Sequence, residues 1–172
     1  AWAPYLTGDG HAHPGAVLFP YFRRRGNVAL IGMSSARASA PFMATGHVDS
    51  TTLPLLRDEL VRAGKQGLFR VVMIHHPPTP DATRWHKRLV GSGRVRAIIR
   101  EAGAELVLHG HTHIDSLVEI EGRDGPVPVI GFPSASNSIG CSKSAGRYNP
   151  ISLAGRAWAS SVQMTLAGNV GL

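Results

Sequence analysis

Cysteine is nearly missing from this chain: Cys141 is the single one in 172 residues. A disulfide framework is therefore excluded, as is any zinc module built on several thiolates. Aromatic residues make up only 6%, too few for a base-stacking platform on single-stranded nucleic acid. Charged residues are scarce at 17%, and acids are the short side, 11 against 18 basic residues. No apolar run approaches the roughly 18 residues that cross a bilayer, so no membrane span is expected. The chain opens Ala1-Trp2-Ala3-Pro4-Tyr5, without the basic start and apolar run of a cleaved leader. With the lone cysteine, that predicts a cytoplasmic location.

What is present supports a packed fold. Hydrophobic residues reach 43%, which argues against disorder. Glycine (20) and proline (12) are abundant, so loops should be prominent. No internal repeat or low-complexity tract appears, and the length suits one domain over residues 1–172. The net charge of +7 and pI near 10.5 attract anions: nucleotides, phosphorylated small molecules, nucleic acid or anionic lipid. The basic residues are scattered, apart from Arg23-Arg24-Arg25. No motif of a known nucleic-acid reader accompanies them, which disfavours that partner.

The hydrophobic pattern predicts alternating strands and helices. Residues 1–26 carry no periodicity and are expected to be loop. Asn27–Met33 and Phe69–Ile74 (FRVVMI) are apolar runs rich in strand formers. Between them, Leu53, Leu56 and Leu60 fall on one face of a helix over residues 51–63, ended by Gly64. Val95, Ile98, Ile99 and Ala102 mark a second helix, with Ser92 as its cap, before a third strand at Glu105–Leu108. The remainder predicts strands at 117–121 and 126–132, then 148–153 paired with one strand over 158–166. The fold class is α/β, a mixed sheet with an antiparallel C-terminal meander.

Nine histidines are present, and five follow two of these strands. They are His75-His76 after FRVVMI, and His109, His111 and His113 after ELVL. Ligands of open α/β sheets collect beyond the carboxyl ends of strands, so imidazoles at two such ends could converge on one ion. In extended backbone His111 and His113 would project to one side, whereas the adjacent His75 and His76 would point oppositely. The set His75, His111 and His113 is thus a candidate metal site. His11, His13, His47 and His86 are more simply surface or core residues.

The segments VVMIHHPP and LVLHGHTH resemble the later motifs of the calcineurin-like metallophosphoesterases, H-x-P after one strand and G-H-x-H after the next. The stretch FPYFRRRGNVALIGMSSA, the ATGHV segment and RYNPISL are similar to the linking and tail regions of bacterial members. The resemblance implies part of a four-layer α/β/β/α sandwich with two divalent metals (manganese, iron or zinc) at one edge. It implies that His75 and His111 bind one metal and His113 the other. It further implies hydrolysis of a phosphomonoester or phosphodiester by metal-activated hydroxide. His76 and His109 are candidates to orient metal-bound imidazoles. Arg84, His86 and the Arg23–Arg25 run are candidates for contact with an anionic substrate, and Ser134, Ser136 and Asn137 for contact with the pocket.

The family's earlier motifs, D-x-H, G-D-x-x-D and G-N-H-D, are not in this sequence. Asp9-Gly10-His11 matches D-x-H in letters, without a preceding apolar strand. The bridging carboxylate, the Asn ligand and the acid/base His implied by the resemblance are therefore missing, and the chain resembles a C-terminal half. Three imidazoles without a bridging carboxylate hold two cations poorly. The chain alone is expected to bind at most one ion, and to form a homo-oligomer or to associate with a missing N-terminal fragment. The alternative is a non-catalytic basic binding or dimerisation module derived from that fold.

Overall fold

The computed structural model describes residues 8–9, 18–80, 82–134, 147–148, 151–154, 157–161 and 164–165. Gly26 and Asn27 turn β1 (Tyr21–Arg25) directly into β2 (Val28–Met33), with Arg25 opposite Val28 and Tyr21 opposite Gly32. Gly26 takes φ +57°, the left-handed conformation that a two-residue hairpin demands. This corrects the expectation of loop throughout residues 1–26: β1 lacks apolar periodicity because its Arg23-Arg24-Arg25 half is polar. The Gly-Asn turn was its available signal.

Strand β2 alternates, with Ala29, Ile31 and Met33 buried on one face. That face receives helix α1 (Thr52–Lys65), whose buried stripe is Leu53, Leu56, Leu60 and Ala63. The helix runs past Gly64 and ends at Gln66-Gly67, where Gly67 supplies φ +69°. Gly64 serves packing instead: a Cβ there would sit 2.8 Å from the Arg70 guanidinium. Strand β3 (Gly46–His47) precedes α1, and β4 (Phe69–Ile74) follows it, pairing parallel to β2 from Val28–Phe69 to Met33–Ile74.

A one-turn 3-10 helix (Trp85–Lys87) and β5 (Leu89–Val90) lead into α2 (Ser92–Ala102). Gly91 in the left-handed region, not Ser92, is the N-cap of α2, and Val95, Ile99 and Ala102 form its buried stripe. Strand β6 (Leu106–His109) pairs parallel to β4, with His109 opposite Ile74. Strands β7 (Ser116–Glu121) and β8 (Pro126–Gly131) form an antiparallel pair, and β8 inserts parallel beside β6. The sheet order is therefore β1-β2-β4-β6-β8-β7, a parallel centre with antiparallel edges.

Both helices share one core with the inner face of the sheet. The opposite face carries a second apolar cluster of Phe69, Val71, Leu106 and Ile130, against which Ile151 packs. Ile151 opens β10 (Ile151–Ala154), which pairs antiparallel with β11 (Ala157–Ser161). A separate pairing joins β9 (Arg147–Tyr148) to β12 (Met164–Thr165). The single strand expected over 158–166 is thus divided between two partners.

At the amino ends of β4 and β6, Arg70 is 3% exposed. Its Nη1 donates to the Ala102 carbonyl at 2.8 Å, and its Nε to Glu105 Oε2 at 3.0 Å. A buried guanidinium needs this full set of acceptors.

Candidate functional site

The parallel pairing of Ile74 with His109 brings the carboxyl ends of β4 and β6 side by side. The Gly110 N–H then donates to the His75 carbonyl at 3.2 Å, tying the two tips together. The ring centroids of His75 and His111 are 5.2 Å apart, those of His75 and His76 5.0 Å, and those of His76 and His111 4.1 Å. Three of the predicted histidines therefore form one cluster, and His113 adjoins it in sequence.

The G-H-T-H tip is not extended, which corrects the sequence-based geometry. His111 and His113 adopt φ +65° and +59°, and Thr112 N–H closes onto the Gly110 carbonyl at 2.7 Å. Left-handed backbone costs a non-glycine residue roughly 1–2 kcal/mol, and such strain concentrates at functional sites. Two strained histidines flanking one threonine make a compact turn that presents imidazoles.

His76 is excluded as a metal donor because both of its ring nitrogens are engaged. Its Nε2 faces the Ala44 carbonyl at 3.1 Å and must carry the proton. Its Nδ1 then accepts from the Ser35 hydroxyl at 2.8 Å, and the same hydroxyl oxygen accepts the His76 N–H at 3.3 Å. Gly46 packs on the ring so closely that a Cβ there would lie 2.4 Å away. His76 thus clamps residues 35–46 against His111. Ser35 and Gly46 were not singled out from sequence. Their available signal was position: Ser35 follows β2 at the same sheet edge as the histidine tips.

His109 is also buried. Its Nδ1 lies 3.0 Å from the Gly110 carbonyl, Ser116 Oγ is 3.5 Å from Nε2, and the ring packs on Gly131. Burial lowers its pKa, partly opposed by the Gly110 carbonyl, and the same cause lowers that of His76, opposed by Ala44. Burial pushes His111 furthest, to about 4 from the usual 6.5, reinforced by His76 and His75 and opposed by a hydrogen bond to the Lys87 backbone. His111 is therefore a neutral imidazole at physiological pH, the form that binds metals.

The unpartnered atoms fit that chemistry. His111 Nε2 and His113 Nδ1 are buried without any hydrogen-bond partner, an arrangement costly in a folded protein unless something takes the lone pair. A metal ion would do so. Among the described residues, however, no three His, Cys, Asp or Glu side chains converge to enclose an ion. The donors are present; a closed coordination shell is not.

The family model for calcineurin-like phosphoesterases matches residues 10–115, which include both histidine tips. The chain belongs to the calcineurin-like phosphoesterase family. No curated protein matches it.

Several other residues separate on this frame. Asp9, the letter match to the first motif of the calcineurin-like phosphoesterases, accepts from Arg24 N–H and Arg25 Nη1, each at 3.0 Å. Those arginines flank the β1–β2 turn, at the sheet end opposite the histidines. Asp9 therefore lies away from the histidine cluster, and Arg24 and Arg25 do not line it. Arg84 is exposed and caps the 3-10 helix, beside Trp85. Ser134 is half-buried beyond β8, while Ser136 and Asn137 lie outside the described residues. No helix among the described residues is long and apolar enough to cross a membrane.

Proposed function

We propose that this chain supplies the histidine side of a two-metal centre that hydrolyses a phosphomonoester or phosphodiester. In this reading His75 and His111 donate to one ion and His113 to the other. The bound ions would supply a nucleophilic hydroxide and neutralise charge on the phosphoryl oxygens. The chain's own residues prepare that site: His76 and Ser35 hold His111 in place, and burial keeps it deprotonated. One observation carries the reading, namely the buried and unpartnered Nε2 of His111 and Nδ1 of His113. Family membership supports the hydrolase class.

The carboxylate donors are proposed to come from a segment carrying D-x-H, G-D-x-x-D and G-N-H-D. Without it, two cations roughly 3.5–4 Å apart lack the anionic oxygen that offsets their repulsion. The chain alone then binds at most one ion and turns over slowly or not at all. Its association with such a segment, or with a second copy, follows from the same reasoning.

Metal analysis of the purified chain, paired with hydrolysis of bis(p-nitrophenyl) phosphate in manganese or zinc, tests both parts. One weakly held ion, lost in His111→Ala, and turnover restored by adding the complementary segment are expected. Two tightly held ions per chain would defeat the claim of incompleteness. Indifference of metal binding to His75→Ala, His111→Ala and His113→Ala would defeat the metal site. The second outcome would favour the non-catalytic module, a reading supported by the lack of three converging donors among the described residues.

A further inference from the structure

Phe42 stands fully in solvent, 100% exposed. It occupies the third position of a turn closed by Met43 N–H onto the Ala40 carbonyl at 3.0 Å, with Pro41 second. Its φ is +66°, a position where Gly or Asn is the stereochemically easy choice. A bulky aromatic there is strained and buries nothing, so folding gives no reason for it. The turn is braced nevertheless: Ser39 Oγ donates to the Met43 carbonyl at 2.7 Å.

A second exposed aromatic, Trp85 at 67%, lies on the neighbouring segment. The two segments are stitched together, with Ala44 N–H on the His86 carbonyl at 2.8 Å and Gly46 N–H on the Arg88 carbonyl at 3.0 Å. The same two segments carry four exposed cations, Arg37, Arg84, Lys87 and Arg88. Residues 34–48 and 82–96 contain no Asp or Glu. Asp49, which lies within electrostatic reach of Arg37, is engaged by the Thr51 N–H and hydroxyl. Among the described residues none of the four cations is in an ion pair.

We propose that this aromatic-tipped, basic face docks on an anionic lipid bilayer. A ring exposed on all sides cannot line a small-molecule pocket, which must enclose its ligand. It can enter the boundary between headgroups and acyl chains, where Trp and Phe are favoured. Lysine and arginine beside it would meet anionic headgroups, each adding to the attraction. The same face is tied to the histidine cluster through the His76 Nε2 hydrogen bond to the Ala44 carbonyl. The proposal does not depend on the phosphoesterase reading.

Co-sedimentation with vesicles tests it, comparing phosphatidylcholine alone with phosphatidylcholine mixed with phosphatidylglycerol. The chain should bind the anionic vesicles, less as salt rises. Phe42→Gly should weaken partitioning by about tenfold while its melting temperature stays level or rises, because glycine relieves the strained φ. Trp85→Ser should weaken it comparably, and Lys87→Ala with Arg88→Ala should flatten the salt dependence. No binding to anionic vesicles, or binding indifferent to Phe42→Gly and Trp85→Ser, would overturn the proposal. So would self-association on light scattering that these variants abolish without any vesicle binding, which would assign the face to a second copy. Salt-dependent binding to a DNA oligonucleotide in place of vesicles would likewise overturn it.

Discussion

Ser35 Oγ and His76 Nδ1 lie 2.8 Å apart, and this contact couples the end of β2 to the tip of β4. Ser35 is 1% exposed and His76 6%, so water does not replace a lost partner. Ser35→Ala should destabilise the fold by about 1–3 kcal/mol, the cost of an unsatisfied buried group. Gly46→Ala should displace the His76 ring outright. Urea denaturation checks both, with a lower midpoint and an unchanged slope expected.

Metal binding should appear as stabilisation. With a divalent ion at a hundredfold excess over its dissociation constant, linkage predicts about 2.7 kcal/mol. Thermal unfolding in manganese or zinc, with an EDTA control, measures it. His111→Ala should abolish the increment, whereas Arg25→Ala, at the sheet end opposite the histidines, should retain it.

The Arg70–Glu105 pair offers a test far from that chemistry. Glu105→Ala strands a guanidinium that is 3% exposed, and removing one partner of a buried pair costs about 3–5 kcal/mol. Glu105→Gln keeps a hydrogen-bond acceptor and should cost less. Equilibrium unfolding of the two variants ranks them.

Acid should unfold the protein through its histidines. The folded-state pKa values of His76, His109 and His111 lie below the usual 6.5, that of His111 at about 4. The unfolded chain then binds more protons than the native one in between, so stability rises with pH there. Their contribution is complete above about 6.5 and is lost as pH falls toward 4. Melting temperature followed from pH 7 to pH 4 should drop, and less steeply in His111→Phe, which places no titrating group there.

The central fold was legible because buried parallel strands write continuous apolar runs: the run FRVVMI at 69–74 is strand β4 from end to end. Helix α2 was legible from the spacing of Val95, Ile99 and Ala102. Strand β1 was not, since its pairing rests on a turn and a basic face rather than on apolar periodicity. The meeting of the β4 and β6 tips follows from two parallel strands joined by a helix, and the sequence sufficed for it. The left-handed backbone of His111 and His113 did not follow, because residue spacing carries no φ. Nor did the Ser35–His76–Ala44 clamp, which joins positions up to 41 residues apart.

Arg70 and His75 lie on one strand and its exit, about 16 Å apart at extended spacing. Perturbations separated by more than about 10 Å with no shared partners act nearly additively. The sheet is thus anchored at its amino end and equipped at its carboxyl end, by residues that do not touch. The histidine tips can be rewritten, for another ion or for none, without drawing on the anchorage at the far edge.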